Sequence, residues 1–328
     1  MMKRRGFMMA LAGGAAALGT LPRAGAQPKT APVIGYLHFA TPDYTPGASA
    51  FLQGIREKGY VEGENLQMEY RWAEGRYDRL PALASDLVAR KVDLIAAFGP
   101  PPAHAAKNGT SAIPIVFEVG NDAVEAGLVA SLPRPGGNAT GFSILFTQIT
   151  PKRVELLCEL VPHARTIALL INPASPTAEP SIRGAEEGVR ARGLQLSILK
   201  ASTENEIDAA FASVASAQGD GLVVAADPFF DTRREQLVNA ADRNRVPTIF
   251  FERGFCATGG LISYGSNLSD VYRQMGVYAG RILNGEKPAD LPVMQPTNFE
   301  LVINVKAAKA LGLKVPERLL ATANEVFE

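Results

Sequence analysis

Cysteine occurs only twice in the 328 residues, tryptophan once and histidine three times. Cys158 lies in RVELLCELV, where it reads as a small apolar residue on a buried helical face rather than as half of a bridge to Cys256. The histidines His38, His104 and His163 sit on unrelated segments, so neither a metal centre nor a nucleophile–base pair is expected. There is no G-x-x-x-x-G-K-[ST], no H-E-x-x-H, no G-x-S-x-G, and no G-x-G-x-x-G after a strand. These absences argue against P-loop, zinc-protease, serine-hydrolase and dinucleotide chemistry, and no cofactor is predicted. An excess of charge is missing too: 33 basic residues balance 33 acidic ones. Four of the basic residues fall within residues 1–26, which hold no acidic residue, leaving 29 against 33 beyond them. No basic run follows position 30, so a nucleic-acid partner is not expected. Nor does any later segment reach 18 continuous apolar residues.

What is present starts at the N-terminus. Lys3-Arg4-Arg5 precedes a mildly apolar stretch from about Phe7 to Leu21, and Ala24-Gly25-Ala26 follows. A basic region, an apolar region and a small-x-small site make an export signal, cleaved before Gln27. Arg4-Arg5-Gly6-Phe7 resembles the twin-arginine motif, with Lys3 and Met8 as departures. No cysteine near the cleavage site offers a lipid anchor, so a freely diffusing periplasmic protein is expected.

Beyond residue 30, β-rich runs alternate with helical periods. The strand candidates are 33–39, 66–71, 93–98, 113–119, 166–172, 194–199, 221–226 and 247–252. Several are continuously apolar, as strands are when both faces of a parallel sheet are covered. Helical spacing recurs in RLPALASDLVAR and SIRGAEEGVRAR, and Ser202, Thr203 and Glu206 form a capping signal before another helix. The alternation predicts an α/β fold with parallel sheets, and its repetition over 33–140 and 166–265 predicts two doubly wound lobes. Ligands of such sheets bind outside the C-terminal strand ends, so facing lobes would share one cleft.

The residues at those ends are the candidate site. His38, Phe39 and Tyr44 follow the first strand, and Phe98, Gly99, Pro100 and Pro101 the third. Glu118, Val119, Gly120 and Asn121 follow the fourth, and Asn172 opens the NPASP turn. Asp227, Phe229 and Phe230 lie in ADPFFD, Arg253 in ERGF, and Tyr264 at a later strand end. Turns at helix starts expose N–H groups that suit a carboxylate. The aromatics suggest a stacking pocket for a flat ligand. Asp227 reads either as the N-cap of the next helix or as the partner of a ligand ammonium. Arg253 reads either as the partner of a ligand carboxylate or as paired with an acidic loop across the cleft.

Four blocks carry a resemblance: GYVEGENLQMEYRWAEGRYDRLPALASDLVARKVDLI, IPIVFEVGNDAVEAGLVASLPRPGGNATG, GGLISYGSNLSDVYRQMGVYAGRIL and KPADLPVMQPTNFELVINVKAAKALGL. Together they resemble the ABC-transporter substrate-binding proteins that include tryptophan- and phenylalanine-type binding proteins. That resemblance implies a type I periplasmic binding fold: two doubly wound parallel-sheet lobes joined by a three-strand hinge. It implies an N-terminal lobe of 31–143 plus 268–296 and a C-terminal lobe of 144–267 plus 297–328, with crossovers near 142–146, 265–268 and 296–298. It also implies backbone N–H groups at Gly99–Pro101 and Val119–Asn121 holding a ligand carboxylate, and Asp227 holding an ammonium. FGPPPA departs from the family's Gly-Thr-Pro-Ala type of loop and lacks its hydroxyl. Pro133 stands where alanine is usual. The function implied is a monomeric periplasmic receptor that closes on an aromatic amino acid or related aromatic acid and delivers it to an ABC permease in the inner membrane. A ligand-sensing receptor for a signalling protein and an exported enzyme using the same cleft are the alternatives.

Overall fold

The computed structural model describes residues 31–43, 46–216 and 219–328. The export signal and Tyr44 lie outside the described residues. The first sheet has five parallel strands: β1 (Val33–His38), β2 (Gln67–Trp72), β3 (Leu94–Phe98), β4 (Ile115–Val119) and β5 (Ala139–Ser143), in the order β2-β1-β3-β4-β5. The second has seven: β6 (Thr166–Ile171), β7 (Gln195–Lys200), β8 (Gly221–Val224), β9 (Thr248–Phe250), β10 (Ile262–Ser266), β11 (Phe299–Asn304) and β12 (Glu325–Phe327). Their order is β12-β11-β10-β9-β8-β6-β7, and only the β10–β11 pair is antiparallel. Each of the eight expected strands is present. Every residue of β3, β4 and β8 is buried, which is why those runs are apolar but for Glu118.

Helices cover both sheets: α1 (Pro46–Arg56), α2 (Leu80–Ala89), α3 (Pro100–Gly109), α4 (Thr150–Leu160), α5 (Ala178–Arg190) and α6 (Glu204–Ser216). They continue with α7 (Pro228–Asp231), α8 (Arg234–Arg243), α9 (Arg253–Ala257), α10 (Leu268–Leu283), α11 (Val305–Ala310) and α12 (Glu317–Thr322). The capping signal before α6 forms: Glu206 Oε2 accepts from the N–H groups of Ser202 and Thr203, at 2.7 and 3.1 Å, and Thr203 Oγ1 accepts from Glu206 N–H at 3.3 Å. Cys158 and Cys256 are both free and buried.

The chain passes between the sheets more than once. After β5 it builds the second sheet as far as β10, then returns to lay α10 along α1. That contact is close because two glycines face it: a Cβ on Gly54 would stand 1.8 Å from the Arg273 carbonyl oxygen, and one on Gly276 2.0 Å from that of Phe51. Met294 then bridges Phe142 beside β5 before the chain re-enters the second sheet as β11. Arg153 of α4 ties two of these passages together. Fully buried, it donates to the carbonyl oxygens of Tyr264, 2.7 Å, and Phe146, 2.9 Å.

Both sheets are doubly wound. In the first, the winding reverses between β1 and β3; in the second, between β6 and β8. A crevice opens at the carboxyl ends of the strands where that reversal occurs. The two crevices face each other.

Candidate functional site

His38, Phe98, Gly99, Pro100, Glu118 and Gly120, from the ends of β1, β3 and β4, line a cavity between the sheets. Ala226, Asp227, Pro228, Asp231 and Thr232 face them from the end of β8, with Phe251 from the end of β9. Phe146 enters from the passage after β5, and Leu268 and Tyr272 from α10. The free volume is about 50 Å³, against the ~150 Å³ of a cavity that holds a benzene ring. The cavity is therefore too small to hold such a ring in this conformation.

A hydrogen bond crosses it. Tyr77, in a 3-10 turn before α2, donates from its hydroxyl to Asp227 Oδ1 at 2.8 Å. Asn172 Nδ2 donates to the same oxygen at 3.1 Å, and Phe229 N–H does so at 2.9 Å as Asp227 caps α7. Asp227 thus caps a helix and also lines the cavity. Its Oδ2 is buried without a hydrogen-bond partner. Burial pushes its carboxyl above the ordinary range, opposed by the surrounding donors.

Glu118 is 5% exposed. Burial, with the charge of Asp231 adding, pushes its carboxyl up to about 8, against the N–H of Gly99. Asp231 pairs with Arg234 at 2.7 Å, and the same guanidinium holds Glu252 at 2.9 Å. His38 is held neutral, its pKa pushed down to about 3 by burial. Its Nδ1 accepts from Ala40 N–H at 2.9 Å, which places the proton on Nε2. Rings complete the wall: Phe98 lies 5.7 Å from His38 and 5.3 Å, edge-on, from Tyr272 between centroids, and Phe146 lies 5.8 Å from Phe251.

Of the candidate residues, His38, Phe98, Gly99, Pro100, Glu118, Gly120 and Asp227 come together at the cavity. Asn172 stands behind it as a donor to Asp227. The others do not line it. Phe39 packs on Tyr77 at 4.4 Å, Phe230 is core, and Phe229 lies under the Arg233 guanidinium. Val119 belongs to the core on the outer face of the first sheet. The Asn121 carbonyl accepts from Ser143 Oγ. Tyr264 stacks near Phe299. Arg253 makes a two-pronged ion pair with Glu325 of β12, at 2.6 and 2.7 Å, within its own sheet and not with an acidic loop across the cleft. Pro101 is half-buried outside the lining.

One expectation needs correction on chemical grounds. The loop at Gly99–Pro101 has no N–H to give a carboxylate. Pro100, Pro101 and Pro102 carry none, the Gly99 N–H donates to the Glu118 carbonyl at 3.1 Å, and the first amide of α3, Ala103, donates to the Gly99 carbonyl at 3.0 Å. Phe146, Phe251, Pro228, Asp231, Thr232, Leu268, Tyr272 and the cross-cleft Tyr77 escaped the strand-end search. Pro228 and Asp231 were legible as neighbours of Asp227. Leu268 and Tyr272 come from a helix far along the chain and carry no local signal.

Two largely parallel sheets turn their C-terminal strand ends onto one ring-lined, acid-bearing cleft, and the fold is that of the periplasmic binding proteins. The model of the ABC transporter substrate-binding protein family matches residues 43–327, and the chain belongs to that family. It is 29% identical over 273 residues to the tyrosine-binding protein of Clostridioides difficile strain R20291, covering 83% of this chain and 78% of that one. Among solved structures it resembles an ABC domain from Streptococcus pneumonia in complex with L-Trp, at 26% identity and a TM-score of 0.82, over 90% of this chain and 99% of the other. A ligand-free, open substrate-binding protein with adhesive properties from Clostridium difficile is 28% identical over 90% and 99% of the two chains, at a TM-score of 0.63.

Proposed function

We propose that the protein is the periplasmic receptor of an ABC importer and closes its two lobes on a small solute with an aromatic body and an ammonium group. The observation that carries this is Asp227: buried, lining a cavity walled by Phe98, Phe146, Phe251 and Tyr272, with one carboxylate oxygen lacking any donor. An ammonium supplies that donor and the compensating charge. The family relation supports the transport role. The relatives named for tyrosine and co-crystallised with L-Trp support an aromatic body.

The lobes in this reading are 31–143 with 268–296, and 144–267 with 297–328. Closure is supported by the small cavity and by the closer likeness to the L-Trp complex than to the open, ligand-free relative. A ring larger than the free volume is admitted only when the lobes part, so binding and closure are one equilibrium.

A thermal-shift panel tests the reading with aromatic compounds bearing an ammonium, aromatic acids without one, and the remaining amino acids. At a hundred times Kd a ligand adds about 2.7 kcal/mol, a shift of several degrees. Shifts confined to aromatic ammonium compounds, lost in Asp227→Asn, are expected. A shift with aromatic acids alone removes Asp227 from the role, and a panel with no aromatic response refutes the aromatic solute.

A further inference from the structure

An amino acid brings a carboxylate as well as an ammonium, and a carboxylate taken out of water needs donors. The proline triplet that opens α3 removes the N–H groups that the family resemblance implies there. The cavity wall holds carboxyls instead. Glu118, Asp227 and Asp231 line it, and among the described residues no lysine or arginine does. The guanidinium of Arg234 reaches Asp231 at 2.7 Å and is shared with Glu252 at 2.9 Å. Carboxyls crowded beside a single cation do not all carry charge, and one of them keeps its proton.

Glu118 is the one that keeps it. It lies in β4, a strand buried along its length, and faces Asp231 with no cation paired to it. Asp231 has Arg234 as counter-charge, and Asp227 accepts from Tyr77, Asn172 and the Phe229 amide. His38 and Tyr272 complete the titratable groups on the wall, and His38 holds its proton on Nε2. A neutral carboxyl changes role: it has an O–H to donate, and an O–H donated to a carboxylate makes a short, strong bond. The proton stays on Glu118, because an α-carboxylate is the weaker base.

We propose that Glu118, as a neutral acid on the wall facing Asp227, receives the carboxylate of an amino-acid ligand whose ammonium goes to Asp227. This rests on the receptor reading above and assigns the other pole of its solute. The two poles of an α-amino acid share one carbon, so their donor and acceptor must meet in one small cavity, as these do. Recognition then requires a proton. An ionised Glu118 sets a second anion against the ligand carboxylate, so affinity falls as pH rises through about 8, the value to which burial and the charge of Asp231 push this carboxyl.

Calorimetry with L-phenylalanine, L-tyrosine and L-tryptophan at pH 6.5 and 9 tests this on wild type, Glu118→Gln and Glu118→Met. Glutamine keeps an N–H donor and does not titrate, whereas methionine has no donor. At pH 6.5 Glu118→Met should bind at least about ten-fold more weakly than wild type, and Glu118→Gln should recover about five-fold of that loss. Between pH 6.5 and 9 wild type should lose about ten-fold more affinity than Glu118→Gln, since deprotonation of the ligand ammonium is common to both. This second comparison stands even where the methionine variant fails to fold. A glutamine variant that binds no better than methionine makes Glu118 an anion for the ammonium, and equal pH dependence in wild type and Glu118→Gln removes it from the carboxylate. Either result overturns the proposal and leaves the receptor reading intact. Binding of none of the three amino acids to wild type overturns the aromatic receptor reading as well.

Discussion

Replacing Glu118 with glutamine should remove a loss of stability that its carboxyl contributes to the unliganded protein as pH rises from 5 to 8. Glu118 ends a strand buried along its whole length, and its carboxyl is pushed up to about 8. In the unfolded chain an ordinary glutamate titrates near 4.3. Between those values the folded protein holds a proton that the unfolded chain has released. Stability is then highest below the unfolded pKa and is lost as pH rises toward the folded one. Each unit corresponds to about 1.4 kcal/mol, so three units amount to roughly 4 kcal/mol as an upper bound. For a chain of this size that is on the order of 6 °C in Tm.

His38 acts in the opposite sense. Its folded pKa is depressed to about 3, so its contribution is present above the ordinary histidine pKa and lost as pH falls below it. The two effects oppose each other between about 4.3 and 6.5, and above that interval the Glu118 slope stands alone. The assay is thermal unfolding of both proteins across this range without ligand. The Tm difference between Glu118→Gln and wild type should grow steadily with pH. Parallel curves would refute the buried, protonated Glu118.

Two further substitutions test the proposed closure and the close contact of α1 with α10. Tyr77→Phe deletes the hydrogen bond to Asp227 across the cleft, worth about 1 kcal/mol. The ligand-free protein should show a larger radius of gyration by small-angle scattering, and an unchanged radius would remove Tyr77 as a latch. Gly276→Ala drives a methyl to 2.0 Å from the Phe51 carbonyl, so α1 and α10 must separate. A loss of about 3 kcal/mol in urea unfolding is expected. A loss below about 0.5 kcal/mol would mean that the close helix contact does not hold.

Much of the architecture is legible along the chain, because a strand of a covered parallel sheet must be apolar on both faces and its helices must cap themselves locally. The runs at 93–98 and 221–226, and the Thr203–Glu206 cap, are local requirements of this kind. So is Asp227 at a strand end before a proline. The proline triplet 100–102 also states a chemical fact without any structure: those positions have no N–H. What the chain order conceals is which strand ends meet. Phe39, Phe98 and Phe230 look alike as aromatics after strands, yet only Phe98 lines the cavity, because the side a ring takes depends on the element packed behind it. Tyr272, Phe146 and Tyr77 reach the cleft from segments scattered along the chain, and only the return of α10 onto α1 and the facing of two sheets bring them together. Local sequence determines each element and its chemistry, since those depend on neighbours a few residues away. The tertiary structure decides the cavity and the upward pKa shifts of Glu118 and Asp227, since both depend on burial by residues from every part of the chain.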